Sequence, residues 1–113
     1  MGYDILIKNG TLIDGTGSPA RRGNLAIKAG RITGVGDVDG LAKRVIDADG
    51  AVVAPGFIDP HTHYDAQICW DGAVTPSSWH GVTSVVMGNC GVGIAPCRPD
   101  AREIAMRDLV NVE

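Results

Sequence analysis

Asp59, His61 and His63 stand at positions i, i+2 and i+4 in the stretch Phe57-Ile58-Asp59-Pro60-His61-Thr62-His63. Alternate residues of an extended strand point to one side, so a strand running through all three would present two imidazoles and a carboxylate on one face. Neutral imidazole nitrogens suit zinc and related divalent ions. A carboxylate beside them can join as a ligand or orient a ring from behind. Taken alone, the motif is also what two ordinary histidines in a turn after Pro60 look like.

Cys90 follows an apolar run in Gly88-Asn89-Cys90-Gly91, where the flanking glycines let the backbone turn sharply and bring the sulfur close to a bound ion. A thiolate there would be a strong zinc ligand, whereas a small buried hydrophobe is the other reading of the same cysteine. His80 lies before that run. Seven residues at about 3.3 Å each separate it from Cys90 by roughly 20 Å, too far for one metal centre. Cys69 and Cys97 read as packing or surface residues, Trp70 and Trp79 as core under a helix, and Arg21-Arg22 as a solvated turn.

These side chains need elements to carry them. Ile5 and Ile7 alternate with Leu6, and Asn9-Gly10 then reads as a type I′ turn into Thr11-Leu12-Ile13, which predicts a hairpin. Asn24–Lys28 and Arg31–Val35 flank Ala29-Gly30 and predict a second. Arg44–Asp47 and Ala51–Ala54, on either side of Ala48-Asp49-Gly50, read as a third pair of short strands. Many short strands with frequent turns predict a β-sandwich or partial barrel over residues 1–54.

The texture changes at Pro55-Gly56. Phe57-Ile58-Asp59 is a short strand, and Gly81–Gly88 is a β-branched apolar run of the kind buried on both faces in a parallel sheet. After Pro99, apolar residues at Ala101, Ile104, Ala105, Leu109 and Val112 mark one face of a helix. Residues 55–113 therefore read as α/β, and the fold class as mixed β and α/β.

Composition narrows the partners. The 113 residues are 44% hydrophobic and 20% charged, as in a globular protein, while 16 glycines against a single Phe predict a thin core. A net charge of −3 without a basic stripe argues against nucleic acid. No apolar run reaches the length of a membrane span, and Met1-Gly2-Tyr3-Asp4 leads directly into alternating residues; both predict a cytoplasmic protein. Three cysteines without zinc-finger spacing fit reduced thiols better than a disulfide framework.

Ala54-Pro55-Gly56-Phe57-Ile58-Asp59-Pro60-His61-Thr62-His63 resembles the metal-site signature of the amidohydrolase superfamily. Pro76–Thr83 running into Met87-Gly88-Asn89-Cys90-Gly91-Val92-Gly93 is more similar to its D-aminoacylase (N-acyl-D-amino-acid deacylase) group than to hydantoinases or dihydroorotases. The resemblance implies a small β-sandwich beside a (β/α)₈ barrel, with residues 55–113 forming the first two β/α units. It implies that His61, His63 and Cys90 bind zinc, one ion or two, and that Asp59 supports them without acting as general base. It also implies metal-dependent attack of water on the amide of a small N-acyl amino acid, with a carboxylate as base.

Such a barrel needs about 250 residues, and in the family the remaining histidine ligands and the catalytic carboxylate come from later strands. The expectation is therefore an N-terminal part, inactive by itself, with no general base of its own. Its uncovered strands predict a homo-oligomer or strand-exchanged dimer. The alternative is a non-catalytic β-domain that associates with itself or with a separately encoded remainder.

Overall fold

A computed structural model describes residues 2–91, 93 and 96–110. The chain divides into two compact units, Met1–Pro55 and Gly56–Glu113.

The first unit is built on β1 (Tyr3–Leu12), β2 (Arg21–Lys28), β3 (Arg31–Gly36), β4 (Ala42–Asp47) and β5 (Val52–Val53). They form one sheet in the order β3-β2-β1-β4, with β5 also paired to β1. The β2–β3 hairpin turns as its sequence predicts, with Ala29 at φ 50° and Gly30 at φ 71°, the two positive values a type I′ turn requires. Asp4 accepts the Ala29 amide hydrogen at 2.7 Å, which ties that strained non-glycine residue to β1.

The expected turn at Asn9-Gly10 is absent, and β1 runs straight through it. Asn9 alone is left-handed, at φ 59°. One residue at positive φ makes a bulge rather than a hairpin, and the pairing accordingly steps from Ile7↔Leu25 to Gly10↔Gly23 with one extra residue on β1. The Asn9 amide is donated to the Asn24 side chain at 3.0 Å, and its side-chain nitrogen to Asp47 at 3.0 Å. Glycine is required at position 10 for another reason: a Cβ there would lie 2.6 Å from Val53 Cγ2. The extra residue also reverses the facing of the rest of β1, because strand side chains alternate with period two. Leu12 thus joins Leu25, Val35 and Val53 around one apolar groove.

The third expected pair of strands exists, but its members do not pair with each other. β4 lies parallel to Tyr3–Lys8 and β5 parallel to Thr11-Leu12, end to end along the same edge of β1. The described strands of this unit join in one five-stranded sheet. Its buried side chains are few: Leu6 and Ala26 on one face of the sheet and Leu12 on the other. The groove of about 200 Å³ that Leu12 lines is partly open, with Ile32 61% exposed.

In the second unit β6 (Phe57–Asp59) and β7 (Val82–Val85) pair in parallel. Gly56 permits their approach, since a Cβ there would run into the Thr83 side chain. The apolar run is neither as long nor as buried as its composition predicts. β7 stops at Val85, its Thr83 and Ser84 are exposed, and Phe57 and Ile58 of β6 are 68% and 69% exposed. A pair of strands buries both faces only when other elements cover them.

Between β6 and β7 the described chain forms two short 3-10 turns, Gln67–Cys69 and Ser77–His80, and no α-helix. Asp71 organises this connection. Its carboxylate accepts the amide hydrogens of Thr75 at 2.6 Å and Ala73 at 3.0 Å, the Thr75 hydroxyl, and the Gln67 side chain at 3.0 Å. Tyr64, buried, bonds Ser77 Oγ at 2.6 Å. Trp70 and Trp79 are 71% and 77% exposed, so neither has the core role predicted for it. The helix α1 (Arg102–Leu109) follows a 3-10 turn at Pro99–Ala101. Its covered line is Ala101, Ala105 and Leu109, while Ile104 is 65% exposed and Val112 lies outside the described residues.

Candidate metal centre

Strand pairing brings the carboxyl ends of β6 and β7 side by side, with Asp59 opposite Val85 and the Val86 amide donated to the Asp59 carbonyl at 2.9 Å. β6 ends at Asp59 and the chain goes on through Pro60, which has no amide hydrogen to continue a ladder. The histidines are therefore on a loop, which corrects the expectation of one strand face through Asp59, His61 and His63. Alternation persists without the strand: His61 and His63 are exposed, Thr62 and Tyr64 buried. The two imidazoles fall on one side, ring centroids 5.7 Å apart and planes inclined by 29°.

From the other strand the chain turns at Gly88, at φ 75°, and at Gly91, at φ 90°, where the Gly91 amide meets the Gly88 carbonyl at 3.2 Å. This turn carries Cys90, half-buried, to the histidines. One nitrogen of His61, one of His63 and the Cys90 sulfur lie within 4.8 Å of one another. Three such points leave a position within about 2.8 Å of all of them, against usual zinc bonds of about 2.0–2.1 Å to imidazole and about 2.3 Å to thiolate. A movement of roughly 0.5 Å for the thiolate and about 0.7–0.8 Å for each imidazole closes that gap. Two borderline nitrogen donors and one soft sulfur fit zinc in type as well as in spacing.

Asp59 stands outside this trio. Its carboxylate accepts the His61 backbone amide at 3.1 Å, so it holds the loop rather than a ring. His80 is exposed at the end of its 3-10 turn, before β7 begins, and stays apart from Cys90, which follows the opposite end of that strand. Cys69 and Cys97 do not join the cluster, and none of the three cysteines is in a disulfide.

The structure gives roles to residues to which the sequence assigned none. Thr62, between the histidines, donates its hydroxyl to the Val86 carbonyl at 2.9 Å, and Asn89 donates its side-chain amide to the Pro60 carbonyl at 2.6 Å. The signal for Thr62 was its place between two exposed histidines, where alternation turns a hydroxyl inward. Asn89 falls inside the Met87–Gly93 motif without a role of its own there, and nothing in the sequence pointed to Asp71. The Thr75, Gln67 and Ala73 donors gathered on Asp71 hold its carboxyl far below the usual carboxylate range.

The chain as a whole has relatives among known proteins. Residues 44–108, more than half of the chain, match the model of the amidohydrolase family. D-aminoacylase of Alcaligenes xylosoxydans xylosoxydans is 47% identical over 95 residues, 83% of this chain and 20% of that protein. N-acyl-D-aspartate deacylase of the same organism is 48% identical over 94 residues, 82% of this chain and 19% of that protein. The crystal structure of N-acyl-D-glutamate deacylase from Bordetella bronchiseptica, complexed with zinc and a phosphonate inhibitor, superposes with a TM-score of 0.79 at 42% identity, covering 85% of this chain and 20% of that one. A D-aminoacylase structure determined for the role of its binuclear metal centre gives 0.78 at 45% identity, over 83% and 20%. The chain spans about a fifth of the length of these relatives. On the family match and these identities, the chain belongs to the amidohydrolase family.

Proposed function

We propose that this chain carries the first ligands of a zinc centre that hydrolyses the amide of an N-acyl-D-amino acid. The observation that carries this reading is the convergence of His61, His63 and Cys90 to within 4.8 Å from two separate loops. Each histidine would give one neutral nitrogen and Cys90 its thiolate. Zinc held there supplies a Lewis acid for the amide carbonyl and for water. Asp59 keeps the histidine loop in place by accepting the His61 backbone amide, and Thr62 by donating its hydroxyl to the Val86 carbonyl. No Asp or Glu among the described residues joins the cluster, so the general base comes from outside it, on a later barrel strand.

In this reading residues 1–54 are the small β-domain, and residues 55–113 begin a (β/α)₈ barrel whose first two strands are β6 and β7. Strands ending at the ligands agree with the rule that barrel enzymes place chemistry at the carboxyl ends of their strands. The small substrate is inferred from the relatives' activities, and the cytoplasm from three cysteines outside any disulfide. Among the described residues no helix is long and apolar enough to cross a membrane.

The experiment is zinc content by mass spectrometry for the purified chain and for a His61→Ala/His63→Ala/Cys90→Ala variant, with hydrolysis of paired N-acetyl-D- and L-amino acids measured alongside. Zinc near one equivalent, lost in the variant, is the expected result; metal no higher than in the variant would overturn it. The chain alone is expected to show little turnover.

One observation favours a second, compatible role. The open groove with exposed Ile32 and Val35 on the first sheet fits self-association, as a homo-oligomer or a strand-exchanged dimer. Light scattering after size exclusion should give a mass above the monomer, and a strict monomer removes the idea.

A further inference from the structure

The two loops that carry the donors leave the sheet where its backbone pairing stops. Among the described residues, the last main-chain bond between them runs from the Val86 amide to the Asp59 carbonyl at 2.9 Å. Beyond that point side chains span the gap, and they are not the donors. Asn89, immediately before Cys90, donates to the Pro60 carbonyl, immediately before His61, at 2.6 Å. Thr62, 5% exposed and between the histidines, donates to the Val86 carbonyl at 2.9 Å. The bonds run in opposite directions, one from each loop to a carbonyl of the other. Pro60 cannot donate, so its carbonyl is the only main-chain hydrogen-bonding group that residue offers.

We infer that Asn89 and Thr62 are positioning residues that hold the Cys90 loop on the histidine loop, so that the three donors are assembled before an ion arrives. The inference rests on the proposed reading of His61, His63 and Cys90 as ligands. Its physical basis is preorganisation: a site whose ligands are already fixed does not spend binding free energy on ordering two loops. Groups that orient ligands from outside the coordination shell typically change metal affinity 10- to 100-fold.

The test uses the whole chain and zinc alone. Zinc affinity is measured by competition with a chromophoric chelator for wild type, Asn89→Ala, Thr62→Val and Thr62→Ser. Thr62→Val keeps the shape and loses the hydroxyl, whereas Thr62→Ser keeps the hydroxyl. A second readout needs no metal: the alkylation rate of Cys90 in the metal-free chain, in a Cys69→Ser/Cys97→Ser background. Asn89→Ala and Thr62→Val should each weaken zinc binding by roughly 10-fold or more and speed Cys90 alkylation, with Thr62→Ser close to wild type. Asn89 is exposed, so its variant stays informative if Thr62→Val does not fold. A wild-type chain that takes up no zinc defeats the metal reading. Alkylation of Cys90 unchanged in both variants, or zinc affinities within about twofold of wild type, overturns the positioning inference itself.

Discussion

Among the described residues Leu6 is the large side chain with no exposed surface at all, at 0%, and the first unit should lose much of its stability without it. It sits in a row that crosses four strands, opposite Val45 of β4 and Ala26 of β2, with Ala26 in turn opposite Gly34 of β3. Leu6→Ala removes three buried carbons. At about 0.8 kcal/mol per CH₂ that is roughly 2.4 kcal/mol of transfer free energy, and the cavity left behind brings the usual cost to about 3–5 kcal/mol. Val45→Ala in the same row is the control, because Val45 is 55% exposed and its truncation should cost under about 1 kcal/mol. The assay is amide hydrogen exchange of β1 and β2 by NMR in the full chain, which reads the opening of this sheet rather than of the molecule as a whole. A loss of about 3 kcal/mol appears as roughly 100-fold faster exchange. Were Leu6→Ala to speed exchange no more than Val45→Ala does, the sheet would not be resting on this core, and the reasoning from burial would be wrong.

Further expectations concern the second unit. Cobalt substituted into the wild-type chain should give a thiolate charge-transfer band that Cys90→Ser lacks. Structural zinc sites bind with about 10–16 kcal/mol over four ligands, so loss of one ligand should weaken zinc binding roughly 10²- to 10³-fold. Asp71→Asn should flatten the acid dependence of the loop between β6 and β7. The Asp71 carboxyl is lowered in the folded chain, so its contribution is fully present above the unfolded value of about 3.9 and is lost as pH falls below it. The protection factors of the Ala73 and Thr75 amides, taken against intrinsic exchange at each pH, should therefore fall on acidification in wild type and be low throughout in the variant; equal acid profiles would contradict this. Gly56→Ala should destabilise the β6–β7 pair by about 1–3 kcal/mol, since the new methyl meets the Thr83 side chain. Adding Thr83→Ala should recover only part of the lost melting temperature, since the Thr83 Cβ would still lie 2.7 Å from the new methyl.

What the sequence determined by itself was chemical type and local pattern. Two imidazoles two residues apart, and a cysteine near glycines after an apolar run, offered candidate donors, and the family resemblance is what singled them out from ordinary histidines and a buried thiol. The Ala29-Gly30 hairpin was legible because its turn depends on two adjacent residues and little else. Asn9-Gly10 was misread because the same dipeptide serves a bulge when β5 approaches on the far side, and Gly10 is there to admit Val53. Likewise Val45 and Val52 reveal strands, but only the structure decides that both strands pair with β1. The apolar pattern of Phe57-Ile58 and Gly81–Gly88 signals burial without saying what covers it, and these residues leave much of it open. The metal centre divides in the same way. Its donors were named by residue type, whereas their meeting was decided by strand ends set side by side and by the Thr62 and Asn89 bonds. Donor chemistry belongs to a single residue and survives in the one-dimensional sequence. A distance between residues some thirty positions apart does not: it is set by pairing register and by which carbonyl each side chain reaches.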